Sequence, residues 1–451
     1  MMLGDILIYA ENLISGTLPF MILIIIGVYL TLKGRFFQFR KFPHSVGLVI
    51  KAFKSKKCDG EISSFRAACT AISATVGTGN IAGVAGALSI GGAGAIFWMW
   101  ISAIAGMAVK FGEIALGVIY REKHGDKYRG GPMYYIKNGL PNSFGILGVI
   151  FAVCAVPAVI VGGNMTQTNS SVTAINSDIK TRIIAGIVFC TATALIAGGG
   201  IKRIGAFTEK LIPLMSVIYV IMSVVIIALN IDFLPTAFKM IIEGAFNPRA
   251  VTGGAVASVG TAMMIGASRG VFSNEAGLGT SAMAYSVASD ADSKTQGLFG
   301  IFEVFIDTLV LCTLTALTIL CSRVNIDYGS AASTELVREA LSTGFGEWSQ
   351  AVLAAMMCVF GFSSVIGWAV YGDISTEYLW GRRGRFIFRV IYPLSCILGA
   401  VLDTELVWRL AAFFNGIMLC VNLPAILLLS DNFLKEEKNE QKNRKFKKSI
   451  K

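Results

Sequence analysis

Apolar runs recur from one end of the chain to the other, near residues 12–33, 64–90, 94–120, 146–170, 183–199, 208–230, 254–285, 297–321, 347–379, 388–402 and 406–430. Runs of roughly 20 apolar residues cross the hydrocarbon core of a bilayer as helices. Alternating strands of the kind that build membrane barrels are absent from the pattern. The chain therefore reads as an all-α polytopic membrane protein with about 11 transmembrane helices, forming one membrane domain. The interval 231–252 holds Pro235, Pro248 and an amphipathic piece, and reads as a surface connector.

Two of these runs are interrupted. Ser73-Ala74-Thr75-Val76-Gly77-Thr78-Gly79-Asn80 carries a G-x-G spacing and polar neighbours inside an apolar span, and Ser273-Asn274-Glu275-Ala276-Gly277-Leu278-Gly279-Thr280 repeats the texture. Both read Ser-x-x-(Val or Ala)-Gly-x-Gly-(Asn or Thr). Without the first helix, ten spans remain and divide five and five, with one interruption opening each half. Five is odd, so the second half enters the membrane from the opposite side. That is the signature of an inverted repeat whose broken helices hold the binding site. The division expected is an N-terminal helix and basic cytoplasmic loop (1–63), a first repeat (64–230), an extracellular connector (231–252), a second repeat (253–430) and a basic cytoplasmic tail (431–451).

Composition agrees with a membrane protein: 54% of the 451 residues are hydrophobic and 15% are charged, against roughly 25% charged in soluble chains. The net charge of +11 sits in alternate loops and the tail, so it predicts basic cytoplasmic loops and no nucleic-acid partner. Lysines and arginines crowd 34–63, 121–129, 202–203, 382–385 and 435–451, which places the tail in the cytoplasm and the N-terminus outside. The first run lacks a basic leader and is expected to be a retained helix. Nine cysteines lie mostly in apolar runs without a C-x-x-C pair and read as small core residues. With two histidines, both in basic loops, the parts of an intramembrane protease are missing and no enzyme is predicted.

Glycine costs roughly 1 kcal/mol inside a helix, and free backbone groups in hydrocarbon cost several more. Gly77-Thr78-Gly79 and Gly277-Leu278-Gly279 are tolerable if the loosened backbone faces an ion or a substrate. A half-helix N-terminus suits a carboxylate, and freed carbonyls and hydroxyls suit sodium or an ammonium. Packing of small residues accounts for Gly83, Gly86, Gly91 and Gly92, but it leaves Asn80, Asn274 and Glu275 needing partners. Arg269 and Glu275 flank the second break and could pair with each other or with Glu113, Glu303 or Asp307. Gln167 is either pocket-lining or bonded to a neighbour. Ser363 and Ser364 offer hydroxyls to a cation or bond back to their own helix. Trp368, in mid-span, suits a pocket wall. Glu335 to Glu347 reads as a surface helix.

At these positions the sequence resembles the alanine/glycine:cation (sodium:alanine) symporter family. The resemblance rests on Ala74-Thr75-Val76-Gly77-Thr78-Gly79-Asn80-Ile81-Ala82-Gly83, Phe97-Trp98-Met99-Trp100, Lys110-Phe111-Gly112-Glu113 and Gly130-Gly131-Pro132-Met133-Tyr134-Tyr135. It continues in Arg269-Gly270-Val271-Phe272-Ser273-Asn274-Glu275-Ala276-Gly277-Leu278-Gly279, then Gly367-Trp368 and Tyr371-Gly372. It implies a leucine-transporter-like fold, a 5+5 inverted repeat with unwound first and sixth core helices, plus one additional N-terminal helix. It further implies sodium-coupled symport of alanine, glycine or a similar small neutral amino acid across a prokaryotic plasma membrane by alternating access.

By the same resemblance, the substrate site would use Thr78, Gly79, Asn80, Gln167, Phe272, Ser273, Asn274, Gly277 and Trp368. The sodium site would use Ser73, Val76, Ser363 and Ser364, and no other cofactor is implied; the remaining partners are membrane lipids. The chain departs from the family pattern at Met283, Tyr285, Ser364 and Val370. Alternatives from the residues are proton-coupled symport, a channel, which would need a continuous polar lining, and a non-transporting sensor, which would need a signalling domain.

Overall fold

The computed structural model describes Ile14 and residues 18–54, 62–125, 127–175, 178–254, 258–329 and 334–435. Most of the basic tail expected at 431–451, and Lys56 and Lys57 of the first basic loop, lie outside the described residues. The chain is helical nearly throughout. Helix α1 (Leu18–Lys33) is followed by α2 (Phe37–Lys54), which turns away from it by 83°. The sequence at α2 read as part of a basic loop; its amphipathic pattern lets Phe37 and Val49 bury while Arg40 and Lys51 stay outside.

The first repeat begins with α3 (Ser64–Thr75) and α4 (Ala82–Gly91), the two pieces of one broken span bent by 51°. Next comes α5 (Gly94–Ile119), whose 26 residues make a rod of about 39 Å. It is almost wholly buried, which suits a central helix rich in Ala and Gly. A short antiparallel hairpin, β1 (Glu122–His124) and β2 (Lys127–Arg129), leads to α6 (Pro132–Gly139). Then α7 (Gly145–Ala158) and α8 (Thr166–Ile175) are joined by a π-helical stretch, Val159–Met165. Helices α9 (Ile179–Ala197) and α10 (Gly200–Leu229) complete the repeat. They present Ile184, Val188, Leu195, Leu214 and Ile221 outward, an apolar surface.

The connector carries α11 (Leu234–Phe246) and α12 (Pro248–Thr252). The second repeat opens with α13 (Val259–Asn274) and α14 (Thr280–Ser286), again one interrupted segment. It continues through α15 (Ser293–Val304), a π-helical stretch (Phe305–Cys312) and α16 (Thr313–Cys321). The expected surface helix is α17 (Thr334–Phe345). The run α18 (Trp348–Val401) divides at Gly381, whose φ of 62° and ψ of −150° only glycine adopts readily. Helix α19 (Thr404–Leu428) ends the core.

Among the described residues, seven helices are long and apolar enough to cross a membrane, or nine if each bent pair counts as one span. The count of eleven read from sequence is larger because it splits α18 at Gly381 and includes the interrupted Val259–Ser286 segment, whose pieces are individually too short. Helix α5 packs against α13, α15, α1 and α14, and α18 against α9, α8 and the first π stretch. The two broken spans meet between these groups.

Candidate functional site

At the first break, Val76 turns extended after Thr75 and Gly77 remains extended, opening the single 3₁₀ turn Thr78–Asn80. Three side chains replace the helical bonds lost there. Asn80 Oδ1 accepts from the Gly77 N–H at 2.9 Å. Gln167 Oε1 accepts from the Thr78 N–H at 3.0 Å and from the Thr78 hydroxyl at 2.8 Å. Ser364 Oγ donates to the Ser73 carbonyl at 3.1 Å, taking the place the Gly77 N–H would hold in an unbroken helix. A Cβ at Gly77 would lie 2.3 Å from Ser364 Oγ and 2.9 Å from Gln167 Oε1, so this convergence requires glycine.

At the second break, Glu275 is left-handed (φ 55°), as are Gly277 (φ 84°) and Gly279 (φ 80°). A non-glycine residue in this region stores about 1–3 kcal/mol; Thr280 Oγ1 donates to Glu275 Oε2 at 2.6 Å and helps hold it. The freed backbone ends are capped by Glu113 and Lys110. The Gly277 and Gly279 N–H groups both donate to Glu113 Oε2 at 3.1 Å. Lys110 Nζ donates to the Asn274 carbonyl, at the end of α13, at 2.7 Å. A carboxylate thus meets the amino end of one half-helix and a lysine the carboxyl end of the other, as their dipoles favour. Lys110 also pairs with Glu303 Oε1 at 3.0 Å, and Tyr285, one of the departures from the family pattern, donates to Glu303 Oε2 at 2.9 Å.

The two breaks are joined side chain to side chain. Asn80 Nδ2 donates to Ser273 Oγ at 3.0 Å and to Asp307 Oδ1 at 2.7 Å. Ser273 Oγ donates to Asp307 Oδ2 at 2.7 Å, as does Thr308 Oγ1 at 2.8 Å. Thr315 Oγ1 donates to the Asn80 carbonyl at 2.7 Å. Lys110, Glu113, Glu275, Glu303 and Asp307 are all 0–1% exposed. Charges this deep in a membrane domain persist only with partners and mark functional positions.

Of the residues expected at the substrate site, Thr78 and Gln167 are bonded, and Asn80 and Ser273 are bonded. The Phe272 ring approaches Gly79, within 3.3 Å of where a Cβ would stand, and lies 4.6 Å from the Trp408 ring. Trp368 packs on Gly163 in the π stretch one turn before Gln167. Asn274 reaches this group through Thr308, and Gly277 lies apart from it. Asn274 bonds Thr308 Oγ1 and the Ala276 N–H, while Gly277 faces Leu23, Leu419 and Leu423.

Of the residues expected to hold sodium, Ser73 and Ser364 meet, and Val76 lies in the extended stretch beside them. Ser363 Oγ donates back to the Phe360 carbonyl at 2.8 Å. Arg269 and Glu275 do not pair; the Arg269 guanidinium sits 4.3 Å over the Trp408 ring. The sequence reading quoted Lys110 within a motif without giving it a role, and it missed Thr308, Thr315 and Trp408. It noted Asp307 only as a possible ion-pair partner. A polar residue in mid-span was the one available signal, and it does not say which break a residue faces.

The family model described as the sodium:alanine symporter family matches residues 2–451. The sodium/alanine symporter AgcS of Methanococcus maripaludis is 39% identical over 444 residues, covering 94% of this chain and 96% of that protein. The probable sodium/glutamine symporter GlnT of Bacillus subtilis is 36% identical over 423 residues, covering 93% of this chain and 87% of its own length. Among solved structures, MhsT in complex with L-phenylalanine superposes with a TM-score of 0.56 at 14% identity, covering 81% of this chain and 88% of that one. That likeness shows the fold, the leucine-transporter architecture of two inverted five-helix repeats.

Proposed function

The chain belongs to the sodium:alanine symporter family and is a multi-pass membrane transporter, not an enzyme; on that premise we propose that it carries alanine, glycine or a similar small neutral amino acid together with sodium. One observation carries the orientation of the cargo. The amino end of α14 is already occupied by the carboxyl group of Glu113, whereas the Gly77 and Thr78 N–H groups at the first break rest on the amide oxygens of Asn80 and Gln167. A substrate carboxylate displaces an amide acceptor in exchange for a charge-assisted bond, but at α14 it would have to dislodge Glu113 from two N–H groups. The zwitterion therefore binds with its carboxylate at Gly77–Thr78–Gly79. Phe272 and Trp368 then bound the side-chain space, which suits a small residue.

Sodium would sit beside the same break, between the Ser73 and Val76 carbonyls and the Ser363 and Ser364 hydroxyls. The Ser364–Ser73 contact supports this position, because a cation there would replace the hydroxyl proton on the same carbonyl. In this reading the basic end of the bundle faces the cytoplasm of a prokaryotic cell, and access alternates by movement of one helical group against the other. A second reading, coupling to protons, is favoured by one feature: four buried carboxylates surround the single Lys110, and Glu113 Oε1 has no hydrogen-bond partner.

Uptake of labelled alanine into proteoliposomes under separate sodium and proton gradients decides between the two. Concentrative uptake driven by sodium alone is the expected result. Uptake driven by protons without sodium would replace it with the second reading, and no uptake of any small amino acid would reject both.

A further inference from the structure

A cavity lies at the basic end of the bundle. It measures ≈ 490 Å³ and is lined by the β1–β2 hairpin, the turn between α9 and α10, the second half of α18 and the segment after α14. Six cations face it, Lys123, Lys127, Arg129, Lys202, Arg385 and Arg389, and no acidic residue lines it among the described residues. Behind the wall stand two carboxylates. Glu377 bonds Arg129 at 2.8 Å and Arg385 at 3.0 Å, and Asp373 bonds Arg389 Nε at 3.0 Å. These two carboxylates hold three of the six cations, Arg129, Arg385 and Arg389, around one concave space.

A general bias toward basic loops on one membrane face accounts for the lysines, but it does not require them to converge. Nor does it require three arginines held in place by carboxylates with Arg129 only 3% exposed. Fixed guanidinium groups beside lysines match the geometry of phosphate oxygens, which accept paired bonds from arginine and point charge from lysine. Basic pockets between membrane helices take phosphate-bearing headgroups for the same reason.

We propose that this cavity is a binding site for a phosphate-bearing anion, either the headgroup of an anionic phospholipid or a free phosphate compound. A ligand there would tie the hairpin after α5 to α18 and to the α9–α10 turn. The first of these leads away from Lys110 and Glu113, and the second carries Ser363, Ser364 and Trp368. Bound anion would thus stabilise the present arrangement of helices around the central site.

The test is the thermal unfolding midpoint of the full-length protein in an uncharged detergent, titrated at constant ionic strength. The soluble arm uses inorganic phosphate against chloride, and the lipid arm uses short-chain phosphatidylglycerol against phosphatidylcholine of the same chain length. A saturable rise with phosphatidylglycerol alone assigns the site to lipid, and a rise with inorganic phosphate as well assigns it to phosphate compounds generally. In Lys123→Gln/Lys127→Gln/Lys202→Gln the rise should vanish while the unliganded midpoint stays near that of the parent. Lys239→Gln, on α11 outside the cavity, should retain it. No rise in either arm, or the same rise in the triple variant, overturns the proposal.

Discussion

Gly77 leaves no space for a side chain, and Gly83, six residues on, leaves ample space. A Cβ at Gly77 would press on Ser364 Oγ and Gln167 Oε1, whereas one at Gly83 would meet only Trp408 at 3.8 Å. Gly77→Ala should cost about 1–3 kcal/mol through overpacking and should abolish sodium-dependent alanine uptake while the protein still inserts. Gly83→Ala, in a helix with room for a methyl group, should transport normally. Uptake in proteoliposomes, normalised to inserted protein, checks both; normal uptake by Gly77→Ala would remove the convergence from the mechanism. The need for glycine at 77 was legible in the G-x-G spacing. Its cause was not, because Gln167 and Ser364 are 90 and 287 positions away. Asn80 shows the same limit: its polarity marked it for function, yet its bonds to Ser273 and Asp307 depend on how two distant segments are placed.

Helices α5 and α15 brace the second break through charge. Lys110 joins the Asn274 carbonyl to Glu303, and Glu113 holds the Gly277 and Gly279 N–H groups. Removing one partner of a buried pair costs about 3–5 kcal/mol, because the other charge remains desolvated, while replacing both is often nearly neutral. Lys110→Met should therefore lower the thermal unfolding midpoint sharply, and Lys110→Met/Glu303→Gln should recover much of the loss. Equal midpoints for parent and Lys110→Met would show that the pair does not brace the fold. At this scale the interruptions themselves were readable as breaks, since glycine pairs and polar residues inside an apolar run oppose a continuous helix. The two π stretches and the hairpin were not. Nothing local in Val159–Met165 announces a widened turn, and its Gly163 packs on Trp368, 205 positions away.

Across the whole molecule, the proposed sodium and substrate positions share one strand of backbone, Ser73 to Gly79. Occupation of either organises the segment the other needs, so binding should be coupled in both directions. Sodium should raise the apparent affinity for alanine, and alanine should raise that for sodium by the same factor, within about 5–150-fold. Equilibrium binding of each ligand at several concentrations of the other, in detergent, measures the two factors. Independent binding would contradict a shared segment. The same coupling would be expected for a proton only if its acceptor belonged to the break, as Asp307 does through Asn80.

The amino-acid sequence by itself determined that this protein is helical and membrane-embedded, that it repeats with inverted topology, and that two of its spans break. Each follows from local quantities: the length of apolar runs, the parity of spans and the cost of glycine and polar groups in hydrocarbon. Tertiary structure alone decided what fills each break. Glu113 and Lys110 close the second one, and Gln167 and Ser364 bond the first, because those partners arrive from α5, α8 and α18. Hydrogen bonds between segments so far apart depend on helix placement, which no local pattern encodes.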